Sequence, residues 1–451
     1  MITPHGARRT DVLISRGKVA ALGDAGTAGT AGGAAGAAGA PGAAAGGRID
    51  AAGCFVLPGG VDPHAHVMAD VRHATVGAAL GGTTTALSFT NPAAGEGDVA
   101  CLLRRRRELA GVRPVVDVGL HAMLYHPQEA SPADLAAARR AGAAAVKVFL
   151  AYPELGIMCS TRRLFELMSA ATRLGLVVQV HCENGHLIEA LVADALRSGA
   201  TGPRAFAQTR PPEVEEEAVA RALAVASLTG ATCYLVHLST AQAIEQVRLA
   251  RKRGQPRVIA EACTHHLLLG EDRYAGADAQ RFLVAPPLRS SRHLEALWAA
   301  AADGTIDTVG SDHCQVRSPA AAEFSVTGEN LEFGIAGIGA RIPLLLSEGL
   351  ARGLPIERLS QLTAANPARA FGHYPKKGAI AAGSDADIVI FDPAANSEVT
   401  AATFDDGTGD SVYAGFPLRG RIRAVLVRGR LTVSAGELAD PDGRGRYLRP
   451  H

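Results

Sequence analysis

Short runs rich in apolar and β-branched residues recur along the chain, and a helical segment follows most of them. Several runs are apolar at nearly every position, which is typical of parallel strands buried on both faces. The eight runs are Val61–His66, Thr83–Phe89, Val115–Met123, Ala145–Tyr152, Leu176–Glu183, Cys233–Ser239, Arg257–Cys263 and Ile306–His313. Eight strand–helix units over roughly 250 residues predict an α/β fold, a (β/α)8 TIM barrel. A doubly wound open sheet is the competing topology.

Two of the helical segments have clear boundaries. Ser131 followed by Pro132 is typical of an N-cap residue with proline at the first helical position. The segment Thr161–Leu174 is followed by Gly175, as at a helix that ends in a C-cap glycine. Both boundaries support the alternation of strands and helices.

The two ends of the chain have the pattern of short strands separated by turns. The predicted strands fall within residues 11–22, 48–57, 383–391, 422–427 and 430–433. We expect the two ends to pair in one small β-sandwich domain. Residues 1–57 and 372–451 would form its two parts, and residues 58–371 would form the barrel.

Residues Gly23–Gly47 consist almost entirely of Ala, Gly and Thr. Such a segment has no side chain that could anchor a core, so we expect a flexible loop inserted in a hairpin. Deleting residues 26–46 should therefore cost little stability, because closing a loop depends only weakly on its length. Thermal unfolding of the deleted and full-length proteins checks this, and a large fall in Tm would contradict it.

Composition excludes several classes of partner. The chain has 451 residues, of which 47% are hydrophobic and 20% charged, and its 45 basic and 44 acidic residues leave a formal charge of +1. No nucleic-acid partner is therefore expected. Seven cysteines without CxxC spacing predict reduced thiols in a cytoplasm. We expect neither a signal peptide nor a membrane span, since no apolar stretch approaches ~18 residues.

Polar side chains stand at the ends of five predicted strands, and such strand ends meet at the active-site face of a barrel. The first strand ends in His64 and His66, whose side chains point to the same side because side chains alternate along a strand. Each residue alone has an ordinary alternative, such as a core position for His237 or a solvent-facing position for Lys147. The remaining members are Lys147, His181, His237 and Asp312.

Together these groups suit two divalent metal ions and metal-assisted hydrolysis of an amide-like bond. Lys147 could join them only if neutral, for example as a CO2-derived carbamate that bridges the ions. A water between the ions would lose a proton near neutral pH and attack a carbonyl carbon. Asp312 could carry that proton to the leaving nitrogen. Tyr152 could donate to the oxyanion, or simply pack at the barrel rim.

The sequence resembles the cyclic amidohydrolases, namely dihydropyrimidinases, hydantoinases, dihydroorotases and allantoinases, and most of all the dihydropyrimidinase/D-hydantoinase branch. The resemblance extends from about residue 11 to residue 448. The spacing from Lys147 to Tyr152 is the most telling feature, because that tyrosine is the oxyanion donor in this branch. The similar segments are Gly59–His66, Lys147–Tyr152, Val180–Gly185, Thr209–Glu213, Ala285–Arg289, Ser311–Cys314 and Gly383–Asp387.

This resemblance implies a specific set of roles. His64 and His66 would bind one metal, His181 and His237 the other, with Lys147 bridging as a carbamate and Asp312 acting as ligand and proton shuttle. Main-chain groups at Ala285 and near Gly334 would hold the cyclic imide. It further implies zinc, a homotetramer or dimer, and ring opening of a dihydropyrimidine or hydantoin to an N-carbamoyl amino acid.

Four features depart from the hydantoinase pattern. The loop after His66 is short, and Ala285 replaces a serine. Residues 264–269 and 333–341 are more similar to dihydroorotases or allantoinases. Dihydroorotase or allantoinase activity therefore remains an alternative. Against dihydroorotase, the arginine with which that family holds the substrate carboxylate is missing, and Val67–Asp70 stands in its place. A non-catalytic scaffold is a further alternative, although scaffold relatives lose histidines that this chain retains.

Overall fold

Eight parallel strands follow one another around a barrel in chain order. The computed structural model of the protein describes residues 1–23, 47–93, 95–255, 257–315, 334–404 and 406–450. Each strand pairs with the next in parallel, and this sequential order excludes the doubly wound alternative. We label the barrel strands β1 (Gly60–His66), β2 (Thr83–Phe89), β3 (Asp117–Met123), β4 (Ala143–Phe149), β5 (Val177–His181), β6 (Cys233–Leu235), β7 (Val258–Cys263) and β8 (Thr308–Gly310).

A break in the last strand closes the barrel. Strand β8 pairs with β7, the chain turns at Ser311 and Asp312, and the short strand His313–Cys314 then pairs in parallel with the end of β1. The TIM-barrel prediction is confirmed. The same break sets Asp312 between the last strand and the first.

Helices separate the strands, and both predicted helix boundaries are confirmed. Ser131 and Asp134 form a capping box, and Gly175 ends its helix in the left-handed conformation with φ 62°. No helix among the described residues has the length and apolar character needed to cross a membrane. The helices are Val71–Leu80, Asp98–Gly111, Pro132–Ala141, Thr161–Leu174, Gly185–Arg197, Gly202–Gln208, Pro212–Thr229, Ala241–Lys252, Thr264–Leu268, Ser291–Asp303, Arg341–Ala351, Ile356–Ser360 and Asn366–Ala370.

Strand β4 shows how the barrel directs its side chains. Val146 and Val148 pack in the large core that the strands share with the surrounding helices. Ala145 and Phe149 belong to separate clusters with residues of other barrel strands. Because side chains alternate along a strand, Lys147 points with this second set into the barrel, where it is buried.

Both chain ends form the predicted β-sandwich. Its larger layer has five antiparallel strands, and the hairpin of Asp11–Ser15 and Lys18–Gly23 lies against it across an apolar core that includes Val19 and Ile388. The strands of the larger layer are Phe55–Pro58, Ile388–Glu398, Pro417–Val427, Arg430–Ser434 and Glu437–Leu438.

One boundary in the N-terminal part was predicted wrongly. The strand expected over residues 48–57 begins only at Phe55, because a turn precedes it. Asp50 accepts a hydrogen bond from the Ala52 amide at 2.9 Å, and Gly53 has a φ of 74°. Most of the predicted Ala/Gly-rich loop, residues 24–46, lies outside the described residues.

A buried ionic cluster joins the start of β3 to the C-terminal segment. The Lys377 ammonium donates to Asp117 at 2.6 Å and to Asp387 at 2.7 Å, and it lies 3.0 Å from Asp385. Arg428 also contacts Asp117. Three buried carboxylates around one ammonium would be costly to leave unpaired, so this cluster holds the β-sandwich against the N-terminal face of the barrel.

Candidate active site

Six polar side chains predicted from the sequence meet at the C-terminal face of the barrel. In the first half of the cluster, His64 Nε2 lies 2.9 Å from Asp312 Oδ1 and 3.3 Å from Lys147 Nζ. His66 Nε2 is 3.6 Å from the same Asp312 oxygen. Lys147 and Asp312, which lie 83 and 248 positions after His64, thus share one contact network with it, because their strand ends are neighbours.

The other half of the cluster contains two facing histidines. His181 Nδ1 lies 3.0 Å from His237 Nε2, and the rings of His64 and His237 are 5.5 Å apart between centroids. The ring of Tyr152 is 5.2 Å from that of His181. The two halves therefore form one continuous site, with a tyrosine beside the second histidine pair.

Left-handed backbone marks the site. Positive φ angles occur at Tyr152 (65°), His237 (40°) and Asp312 (46°), and also at Asn91 (43°), which contacts His66. Non-glycine residues seldom adopt this conformation, and it is concentrated at functional sites. Tyr152, His237 and Asp312 each follow the end of a barrel strand by two or three residues, so none of them lies within a strand.

Burial and charge shape the protonation of the first half. Burial opposes a charge on His64, but the Asp312 and Glu261 carboxylates outweigh it and raise the pKa of His64 to about 9. Burial alone would raise the pKa of Asp312, yet the adjacent His64 holds that pKa well below its usual range. A cationic group between these carboxylates is therefore favoured, and a metal ion would supply that charge.

Lys147 and the second histidine pair have the opposite tendency. Burial lowers the pKa of Lys147 and holds that of His237 well below 6.5. Among the described residues, the Lys147 ammonium has one hydrogen-bond contact, His64 Nε2, and it lies 4.2 Å from the centre of the Phe89 ring. A neutral amine is the form that reacts with CO2, and neutral imidazoles are the form that binds metal.

The donor set fits divalent cations. The ring nitrogens of His64 and His66 and a carboxylate oxygen of Asp312 all lie within 4.8 Å of one another. The two nitrogens that face each other at 3.0 Å in His181 and His237 offer a second pair of ligands. Imidazole nitrogen together with carboxylate oxygen is a typical zinc environment.

Two buried glutamates support the cluster, and the sequence analysis assigned neither a role. Glu261 Oε1 lies 2.7 Å from His64 Nδ1, and Glu183 Oε2 lies 2.9 Å from His181 Nε2. Glu261 is the single charged residue in the otherwise apolar strand β7. That contrast was a usable signal, because a charge in a buried strand needs a partner.

Ala285 and Gly334 lie on neighbouring segments close to this face. The Gly334 amide donates to the Leu283 carbonyl at 3.0 Å, two residues before Ala285. Ile335 forms a β-bridge with His313, directly after Asp312. These contacts link the segments that contain Ala285 and Gly334 to the end of the last barrel strand. Among the described residues, neither Ala285 nor Gly334 forms a hydrogen bond with the six clustered side chains.

An apolar wall borders the site. Phe89, Met123 and Phe149 form an aromatic-rich cluster with Tyr152 at its edge. Val67 and Met68, which follow His66, pack instead in the large core that the strands share with the helices. No arginine stands at positions 67–70, directly after the two histidines.

Comparison with known proteins gives one consistent result. The amidohydrolase family model matches residues 55–432. D-Phenylhydantoinases of Escherichia coli O1:K1 / APEC and of strain E2348/69 are 36% identical over 421 residues, covering 89% of each chain. The crystal structure of dihydropyrimidinase from Brevibacillus agri NCHU1002 matches with a TM-score of 0.89 and 32% identity, covering 100% of this chain and 97% of that one. L-Hydantoinase from Arthrobacter aurescens matches with a TM-score of 0.83 and 29% identity, covering 99% and 97%.

Proposed function

This chain belongs to the amidohydrolase family, and we propose that it is a metal-dependent dihydropyrimidinase or hydantoinase. It is a cyclic amidohydrolase, and the bond it hydrolyses would be the amide of a dihydropyrimidine or 5-substituted hydantoin ring, giving an N-carbamoyl amino acid. The observation that carries this proposal is the meeting of four histidines, a buried lysine and an aspartate at one barrel face.

The residues divide into two metal positions. His64 and His66 would hold one divalent ion, His181 and His237 the other, and a carbamate on Lys147 would bridge them. Asp312 would complete the first position. Zinc fits the donors, and such ions would make a water acidic enough to react near neutral pH and would polarise the scissile carbonyl.

Asp312 would act as the proton shuttle. Its carboxylate lies at the centre of the cluster, 2.9 Å from His64 Nε2 and 3.6 Å from His66 Nε2, where it could accept a proton from the attacking water. As the ring C–N bond breaks, the same group would return the proton to the leaving nitrogen. The products are a carboxyl group and a ureido NH2 group, one water is consumed, and ionisation of the new carboxyl group releases one proton.

Tyr152 and the main chain would hold the substrate. Burial raises the pKa of Tyr152 well above 10, so its phenol remains a proton donor beside His181. It would donate to the oxyanion that develops on the carbonyl. Main-chain groups at Ala285 and Gly334 would bind the imide edge of the ring.

Replacing Tyr152 with phenylalanine should lower kcat by about 10²–10³-fold, as expected for loss of one oxyanion donor, and leave bound metal unchanged. Steady-state kinetics and metal analysis check this. Tyr447→Phe is the matched control, since its hydroxyl donates to Gly142 at the opposite face of the barrel. Equal kcat in the two variants would assign Tyr152 to packing.

The substrate ring should be uncharged. The segment that follows His66, Val67–Asp70, contains no arginine that could hold the carboxylate of dihydroorotate. We would assay the zinc-loaded protein, expressed with bicarbonate, on dihydrouracil, hydantoin, 5-phenylhydantoin, dihydroorotate and allantoin. Preference for the first three supports the proposal. Preference for dihydroorotate or allantoin would contradict it, and no turnover by a metal-loaded protein would favour a scaffold.

Further proposals concern the assembly and its setting. We propose a homotetramer or dimer in the cytoplasm, with barrel residues 58–371 and a β-domain from residues 1–57 and 372–451. None of the seven cysteines forms a disulfide, which supports a reducing compartment. Light scattering of the purified protein would test the assembly.

A further inference from the structure

Glu261 lies at the junction of the two halves of the site. It is fully buried in β7, and its Oε1 atom is 2.7 Å from His64 Nδ1. The same oxygen accepts the His237 amide at 3.0 Å. One carboxylate therefore contacts a side chain of the first half and the backbone of the second.

The contact with His64 determines which ring nitrogen faces the cluster. Nδ1 of His64 points to Glu261, whereas Nε2 points to Asp312 and Lys147. A carboxylate that accepts the Nδ1 proton leaves the Nε2 lone pair free for a cation, and it fixes the orientation of the ring. Glu261 thus lies behind the ligand and not among the ligands.

The contact with His237 holds a strained backbone. His237 has a φ of 40°, and its amide would be buried without a partner if Glu261 did not accept it. This conformation turns the His237 ring toward His181. Removing the carboxylate should therefore loosen both metal positions.

Glu261 is itself held in place by a tyrosine. The Tyr234 hydroxyl, fully buried inside the barrel, donates to Glu261 Oε2 at 2.6 Å and lies 2.7 Å from Thr308 Oγ1. Gly310 in β8 leaves room for the Glu261 carboxylate, because a Cβ at this position would lie 2.9 Å from Glu261 Oε2 and 3.0 Å from His64 Cβ. Three strands thus contribute to the placement of one carboxylate.

We propose that Glu261, oriented by Tyr234, is the positioning residue that aligns His64 and His237 and so sets the metal affinity of both halves of the site. The inference rests on the proposed metal-dependent function. It adds a carboxylate that touches neither substrate nor metal and acts through two of the ligands.

The test compares Glu261→Gln and Tyr234→Phe with the native protein. The metal-free proteins are titrated with Zn²⁺ against a chelator, and the visible absorption spectrum is recorded after loading with Co²⁺. Glu261→Gln should weaken Zn²⁺ binding by about 10–100-fold, the usual effect of losing such a carboxylate, and should shift the Co²⁺ bands. Tyr234→Phe should change both in the same direction but less. Tyr447→Phe, the matched control, should change neither.

A purely structural role would lower Tm while leaving the Zn²⁺ affinity and Co²⁺ spectrum of the folded protein at native values, and this result would overturn the inference. If Glu261→Gln does not fold, native Zn²⁺ affinity in Tyr234→Phe would overturn it equally. A native protein that binds no divalent metal would overturn the proposed function as well. Two metals in the native protein with unchanged affinity in the variants would overturn this inference alone.

Discussion

Replacing Lys147 with alanine is expected to abolish ring opening and to reduce bound metal below two ions per subunit. The amine is buried between His64 and the face of Phe89, and no other group in this contact could bridge two cations as a carbamate. Without the metal ions the transition state would lose several kcal/mol of stabilisation, so kcat/KM should fall by at least about a thousandfold. Metal analysis and steady-state kinetics on the purified variant measure both effects.

Two comparisons make the Lys147 result specific. Lys147→Met keeps the length of the side chain without the amine, so it should lose activity as the alanine variant does. A small carboxylate such as acetate, added to Lys147→Ala, should restore part of the activity if the missing group is a bridging carboxylate. An alanine variant that still holds two metals per subunit would refute the bridging role.

Replacing Asp312 with asparagine should leave the fold intact and lower kcat by about 10²–10⁴-fold, the contribution typical of a proton-transfer group. The amide cannot accept the proton of the attacking water, although its oxygen occupies the same place. KM should change little, because Asp312 acts on the proton and not on substrate affinity. Kinetics, circular dichroism and metal analysis together separate these effects.

The control for Asp312→Asn is Asp134→Asn, in the exposed capping box of an outer helix. Asparagine would weaken the hydrogen bond that the Asp134 side chain accepts from the Ser131 amide, but it would touch no reacting group. It should retain native kcat. Near-native turnover in Asp312→Asn would exclude Asp312 as the proton shuttle and direct attention to another base at the same face.

Local patterns predicted most of the architecture. Each barrel strand lies within or beside its predicted run. An apolar run and the turn residues at its ends are local features of the sequence, so they can be recognised without the fold. The helix boundaries at Ser131 and Gly175 were correct because a cap satisfies backbone groups of its own helix. Where prediction was wrong, as in residues 48–54, a local turn replaced a strand that the apolar pattern alone had favoured.

The sequence by itself determined the order of strands and helices, and it determined which polar residues stand at strand ends, because spacing and alternation are local properties. Tertiary structure decided what those residues touch. The contact between Glu261 and His64 joins positions 197 residues apart, and the left-handed backbone at His237 and Asp312 is maintained by partners from other strands. Such contacts arise only when barrel closure brings distant strand ends together, so no pattern within one segment records them.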